Sequence, residues 1–89
     1  MRWNIYKTKT FSKDIKKYSK NKGILTQLEK IFLQLEIEPR TVGKILSGVL
    51  HPSRSVRVNS YLRLIFLVNE KEESVYLQFI DNRDKVYKK

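Results

Sequence analysis

Arginine dominates the positive charge in the middle of the chain. Between residues 40 and 69 there are five basic residues and no acidic residue. The set is Arg40, Lys44, Arg54, Arg57 and Arg63. A guanidinium is planar and can hold two phosphate oxygens at once. With no nearby carboxylate in the sequence to pair with them, these arginines predict a phosphate-binding site. The alternative is a group of surface arginines on strands that bind no ligand.

Lysine dominates the N-terminal region instead. The first 22 residues carry eight basic residues against a single acid, Asp14. Seven of the eight are lysines, at positions 7, 9, 13, 16, 17, 20 and 22. Lysine is a mobile, strongly hydrated point charge. This region therefore predicts steering and non-specific contact with phosphates, or else a solvated helix face.

The composition limits the classes of protein to which the chain can belong. Its 89 residues allow one domain, and 19 Lys and Arg against nine Asp and Glu leave a net charge of +10. Such a charge favours a polyanionic partner, most often nucleic acid. The absence of cysteine excludes disulfides and thiolate zinc sites, and the single histidine, His51, excludes a two-histidine ribonuclease site. With no apolar run long enough for a bilayer and no signal-peptide core, we expect a soluble cytoplasmic protein that does not bind membranes.

Hydropathy patterns predict two helices and four strands in the order β-α-α-β-β-β. The predicted strands are 1–9, 55–59, 61–69 and 74–81, and the predicted helices are 11–19 and 24–37. Residues 40–52 are predicted to form a connection with a short segment at 44–46. Strands joined by hairpins are antiparallel neighbours. The predicted fold class is therefore α+β, with both N-terminal helices packed on one face of a mainly antiparallel four-stranded sheet.

Two helices cover only one face of such a sheet, so the other face should be open. In the predicted strand 61–69, one face carries Leu64, Phe66 and Val68, and the other carries Arg63, Ile65 and Leu67. In the predicted strand 74–81, one face carries Val75, Leu77 and Phe79, and the other carries Tyr76, Gln78 and Ile80. Either face carries apolar residues. We expect the open apolar strip to bind a partner, unless the 40–52 connection and the C-terminal tail cover it.

Four segments, in this order and spacing, resemble the RelE/ParE superfamily of toxin–antitoxin toxins over essentially the whole chain. They are residues 11–17 (FSKDIKK), 46–48 (LSG), 57–66 (RVNSYLRLIF) and 81–87 (DNRDKVY). The resemblance implies a single RelE-like toxin domain over residues 1–89, neutralised by a small cognate antitoxin. It commonly implies a ribosome-dependent endoribonuclease that cuts mRNA in the A site and needs no metal or other cofactor.

Two other functions remain open within the same resemblance. ParE-like members poison DNA gyrase and cleave no RNA, although the turn Arg57-Val-Asn59 followed by Arg63 is closer to the RelE/HigB side. A degenerate member retained only for binding is the third possibility. Its main support is Asn82, which stands where relatives commonly have a histidine.

The resemblance also implies roles for individual residues. The catalytic set is Arg57, Arg63, Arg83 and Tyr87. The residues expected to bind RNA and the ribosome are Lys13, Lys16, Lys17, Lys20 and Arg54, and those expected to contact the antitoxin are Ile65, Leu67 and Tyr76. Arginine is a poor proton carrier because its pKa stays above ~12. The general base must then be Tyr87, Asp81, Asp84, His51 or a lysine with a depressed pKa.

Overall fold

The computed structural model describes residues 2–82 and shows an α+β fold of two helices and five strands. The elements are β1 (Asn4–Lys7), α1 (Lys9–Lys16), α2 (Lys22–Ile37), β2 (Lys44–Ile45), β3 (Arg54–Arg57), β4 (Leu62–Asn69) and β5 (Ser74–Asn82). Two short 3₁₀ turns, Pro39–Thr41 and Gly48–Leu50, flank β2. No helix in this part of the chain is long and apolar enough to cross a bilayer. Arg83, Asp84 and Tyr87 lie outside the described residues.

The sheet differs from the prediction in its number of strands. It has five strands in the order β1-β5-β4-β3-β2, with β1 parallel to β5 and every other pair antiparallel. The additional strand is Lys44–Ile45, which the sequence places in a connection and which pairs with Ser55 and Arg54 of β3. A strand of two residues has no alternation to detect, so the four-stranded prediction was wrong in count.

Both helices are capped by side chains one residue before they begin. The Thr8 hydroxyl accepts from the backbone N–H of Phe11, so α1 begins at Lys9 and not at the predicted residue 11. The Asn21 side chain accepts from Ile24 N in the same way and caps α2. The second helix ends at Ile37, close before Pro39, as the sequence predicts.

The hydrophobic core lies between the helices and one face of the sheet. Its buried residues include Phe11 on α1, the stripe Ile24, Leu28, Ile31 and Leu35 on α2, and Leu64, Phe66, Val75, Leu77 and Ile80 on the sheet. The i, i+4, i+7 spacing of the α2 stripe places its members on a single helix face. Within residues 2–82, neither α-helix lies on the opposite face of the sheet.

A β-bulge in β5 changes which residues face the core. Ile65 pairs with Phe79, but the next residue, Phe66, pairs with Leu77, so Gln78 is the extra residue. The alternation therefore reverses at this point. Ile80 joins the helix-side core, whereas Phe79 packs against Ile65 on the other face, which is the reverse of the predicted assignment for these two.

Candidate phosphate-binding site on the open face of the sheet

The β3–β4 hairpin places two arginines directly opposite each other. Arg57 and Arg63 are Cα partners in the ladder. The hairpin is closed by Val58 N, which donates to Leu62 O at 3.0 Å. The Asn59 side-chain oxygen accepts from Leu62 N at 2.8 Å, which fixes the turn and hence the register of the two arginines. Like charges in directly opposed positions destabilise a strand pair, so an anion between them would stabilise the hairpin.

Arg63 is a buried cation held by backbone carbonyls. Its residue surface is only 6% exposed, and Nη1 donates to Asn59 O at 3.2 Å and to Leu62 O at 3.1 Å. Asp81 is its Cα partner on β5, yet among residues 2–82 none of the four ion pairs involves Arg57, Arg63 or Lys44. A desolvated charge without a counter-ion is unfavourable. An anionic ligand bound beside Arg63 would therefore supply the counter-ion that residues 2–82 do not.

A shallow cavity of about 230 Å³ lies beside the arginine pair. It is lined by Gly43, Lys44, Ser55, Arg57 and Arg63. Ser55 is 5% exposed, and its hydroxyl finds no hydrogen-bond partner among the described residues. A buried hydroxyl without a partner is rare in a native protein. Three cationic side chains and one free hydroxyl around one cavity form a set that suits the oxygens of a phosphate group.

Gly43 allows β2 to pair with β3 and so brings Lys44 to the cavity. Its φ is +65°, a conformation that L-residues with a side chain rarely adopt, and a Cβ there would lie 2.2 Å from Ser55 O. Only glycine can approach β3 so closely. The resulting pairing of Lys44 with Ser55 makes Lys44 part of the lining of the cavity, together with the two arginines.

Several solved structures share this fold. A chain of the toxin–antitoxin complex RelBE2 from Mycobacterium tuberculosis has 26% identity and a TM-score of 0.78, with 93% of this chain and 100% of that chain covered. A metal-bound toxin from Helicobacter pylori has 25% identity and a TM-score of 0.78, covering 94% and 98%. A chain of the DinJ–YafQ toxin–antitoxin complex from E. coli, at 15% identity, shares the fold with a TM-score of 0.77 over 98% and 99%. No protein-family model and no curated protein sequence matches the chain.

The chain has the fold of the RelE-superfamily toxins. The order of the elements, the full-length structural match and the sequence segments around the arginine hairpin all agree on this assignment.

Two residues of this cavity are missing from the site that the sequence predicts. Ser55 could have been found, because it alternates with Val56 and falls on the same strand face as Arg57. Lys44 belongs to the basic set of residues 40–69, but only the tertiary pairing of β2 with β3 brings it to the cavity. Two other members of the predicted catalytic set, Arg83 and Tyr87, lie outside the described residues.

Arg54, predicted to bind RNA, is directed away from this cavity. Its Nε donates to Val42 O at 3.0 Å and its Nη2 to Gly43 O at 3.2 Å. The neighbouring Val56 packs on the helix-side core, as the strand alternation requires. In this RelE-like fold, Arg54 holds the backbone that precedes β2.

The predicted RNA-binding lysines divide into two groups. Lys13 and Lys16 line a separate concavity of about 450 Å³ on the helix side, together with Lys7, Lys9, Thr10 and Ser12. Lys17 instead lies 3.8 Å from the Asp14 carboxylate, and Lys20 is exposed beyond the end of α1. Two of the four lysines therefore share one basic concavity, which includes lysines that the sequence had not singled out.

The apolar strip is shorter than the sequence suggests. Ile65 has no exposed surface and is covered by Leu46, Leu50 and Phe79, so a partner cannot contact it in this conformation. This cover comes from the 40–52 connection, which was the alternative interpretation for the strip. Leu67 and Tyr76 remain half-exposed.

The remaining candidates for a general base are dispersed. His51 Nδ1 lies 3.0 Å from Leu46 O, and the Asp81 carboxylate accepts from Asn82 N at 2.7 Å. Neither lines the arginine cavity, whereas Lys44 does. Within residues 2–82, no three His, Asp or Glu side chains come together in a way that could hold a metal ion.

Proposed function

We propose that this protein is the toxin of a type II toxin–antitoxin system and acts as a ribosome-dependent mRNA endoribonuclease. The observation that carries the proposal is the cavity in which Arg57, Arg63 and Lys44 surround the unpartnered hydroxyl of Ser55. The relatives found in complexes named as toxin–antitoxin assemblies support an antitoxin as the partner.

The cavity would hold the scissile phosphate of the RNA. In the reaction, the 2′-hydroxyl gives its proton to a base, O2′ forms a bond to phosphorus, and the bond from phosphorus to O5′ breaks as that oxygen takes up a proton. The two guanidinium groups stabilise the charge that develops on the phosphate oxygens. Ser55 Oγ donates to one of those oxygens and thereby gains the partner that it lacks in the free protein.

The site has no strong general base, and this lack is the proposed reason why cleavage depends on the ribosome. Arginine holds its proton too tightly to exchange it. Among the described residues that line the cavity, Lys44 is the proposed proton carrier, and Tyr87 stays the predicted alternative. Such a site depends on a substrate whose 2′-oxygen is already aligned for attack, which a ribosome-bound mRNA provides.

The basic concavity on the helix side is proposed to contact ribosomal RNA. Lys13 and Lys16 with Lys7 and Lys9 present four cations over a small area without an intervening acid. Contacts of this kind bind phosphates without reading sequence and weaken as salt rises. The antitoxin is proposed to cover Leu67 and Tyr76 and to bring acidic side chains to the arginine pair.

Primer extension on mRNA in a reconstituted translation system tests the proposal. The parent protein should produce cuts in phase with codons only when ribosomes are present, and Arg57→Gln should lower the cutting rate by at least ~100-fold, the scale for loss of one oxyanion-stabilising donor. Arg57 is exposed, so its replacement should leave the fold intact. Lys30→Gln, on the exposed side of α2, is the matched charge control and should cut like the parent.

Intact transcripts in the presence of the parent protein would contradict the proposal. If the same preparation instead inhibited DNA supercoiling by purified gyrase, the ParE-like alternative would be correct.

A further inference from the structure

A pair of stacked tyrosines occupies the open face of the sheet away from the arginine cavity. Tyr6 and Tyr76 are ladder partners in the parallel β1–β5 pair. Their ring centroids lie 5.4 Å apart with an interplanar angle of 25°. Neither ring belongs to a hydrophobic core cluster. The pair therefore has no evident packing role that would account for two aromatic side chains at this edge.

The geometry of the pair leaves one aromatic face available. Tyr6 is 48% exposed and lies on β1, the edge strand of the sheet, so the ring face turned away from Tyr76 is uncovered. The Tyr76 hydroxyl donates to Glu72 Oε1 at 2.7 Å, which holds the inner ring in place. A fixed inner ring restrains the outer ring through stacking, so the exposed face is ordered before any ligand arrives.

The pair lies on the same face as the phosphate cavity, within reach of one RNA strand. Leu67 is the ladder partner of Tyr76 and lies four residues along β4 from Arg63. At ~3.3 Å per residue this separation is about 13 Å along the strand, and Tyr6 on β1 lies two strands, or about 10 Å, further across the sheet. A few nucleotides of single-stranded RNA span that distance. Between the two sites the sheet surface carries Gln78 and half-buried Leu67 and Phe79, with no ion pair in the way.

We propose that the Tyr6–Tyr76 pair is a stacking platform for one unpaired base of the RNA whose phosphate occupies the arginine cavity. This inference rests on the proposed function, and it adds a second contact that binds a base rather than a phosphate. Stacking on an aromatic ring is tolerant of base identity and does not depend on charge. The platform fixes the distance between the bound base and the scissile phosphate, and so selects which phosphate is cut.

Binding of single-stranded RNA hexamers tests the platform directly. The probes are an intact hexamer and six versions that each carry one abasic position, measured by fluorescence anisotropy without ribosomes. The parent should bind one abasic version about tenfold more weakly than the intact hexamer, since one base stack is lost. Tyr6→Leu should weaken the intact hexamer by the same factor and leave that abasic version unchanged, whereas Tyr6→Phe should behave as the parent.

Two control variants separate this inference from the proposed function. Tyr61→Leu removes a tyrosine of matched exposure, 51%, at the hairpin tip and should leave the position-specific discrimination intact. Arg57→Gln should weaken the intact and all abasic hexamers equally. If Arg57→Gln has no effect but Tyr6→Leu does, the arginine site is wrong, and base stacking on the tyrosine pair stands without a role in selecting the phosphate that is cut.

Equal binding of all seven hexamers by the parent would overturn the platform, whatever the outcome of the cleavage assay. Unchanged affinity in Tyr6→Leu would also overturn it and would leave the tyrosine pair as a surface for a protein partner. Thermal unfolding of each variant confirms that the fold is retained, which is expected because Tyr6 lies outside the core.

Discussion

Arg57 and Arg63 are directly paired across the β3–β4 hairpin, and Arg63 is buried with only backbone carbonyls as hydrogen-bond partners among residues 2–82. Locally this arrangement is unfavourable, because two like charges oppose each other and one is desolvated. Sequences break local rules of this kind mainly at functional sites. Adding an anion or removing one of the unsatisfied groups should therefore stabilise the protein in a measurable way.

Ser55→Ala should raise stability while it lowers activity. The change removes a buried hydroxyl that has no partner, so we expect a gain of about 1 kcal/mol, or ~4–8 °C in Tm. The rate of codon-phased mRNA cleavage should be lower for Ser55→Ala than for the parent, because the scissile phosphate loses a hydrogen-bond donor. The matched control is Ser53→Ala, whose buried hydroxyl donates to Gln78 Oε1 at 2.6 Å and whose loss should lower Tm. A lower Tm for Ser55→Ala would mean that its hydroxyl is already satisfied.

Inorganic phosphate should stabilise the free protein. Phosphate in tenfold excess over its Kd adds about 1.4 kcal/mol if it binds only the folded state. Differential scanning fluorimetry in phosphate, against sodium chloride of equal ionic strength, measures the shift. Arg57→Gln should abolish most of it, whereas Lys16→Gln, in the helix-side concavity, should retain it. Equal shifts in the two variants would show that phosphate binds through general charge alone.

Gly43→Ala should disrupt the cavity, although residue 43 itself contributes no charged group. A methyl group at φ +65° would clash with Ser55 O at 2.2 Å, so β2 must separate from β3. We expect a loss of at least ~1 kcal/mol in urea unfolding and a weaker phosphate-induced shift, since Lys44 moves away. Gly23→Ala in α2, where the nearest atom is 3.5 Å from the added Cβ, should stabilise by ~0.4–1 kcal/mol. If Gly43→Ala binds phosphate like the parent, then Lys44 has no part in the site.

Glu38 should make stability depend on pH in the acid range. A side-chain hydrogen bond from Arg40 lowers the pKa of Glu38 to about 2 from its usual 4.5. A carboxylate with a depressed folded-state pKa stabilises above its unfolded pKa, and that stabilisation is lost as the pH falls from about 4.5 to about 2. Glu38→Gln should therefore flatten the decline of unfolding free energy over this window, whereas Glu29→Gln, an exposed change on α2, should keep it. Because Glu38 is partly exposed and Arg40 is exposed, added salt should reduce the difference. A parallel decline in all three proteins would exclude the Glu38–Arg40 contact as its source.

Much of the architecture is predictable from local patterns. The period of 3.6 in residues 24–37 predicts α2 because one stripe of that helix must be buried, and the charged 69–73 segment predicts the β4–β5 hairpin. The arginine-rich, acid-free stretch predicts a phosphate site, and the structure brings Arg57 and Arg63 together there. These features follow from residue type and period alone, which act over a few neighbouring residues.

Other features depend on contacts between distant residues. The bulge at Gln78 reverses the faces of Phe79 and Ile80, and no local pattern in 74–81 encodes that step, because it is set by the pairing with β4. The position of Lys44 is decided by the close approach of two strands at Gly43. Sequence alone determines that this protein is a small basic domain with arginines suited to phosphate. The tertiary structure decides which cation and which hydroxyl join them, because those partners meet only when non-adjacent strands pair.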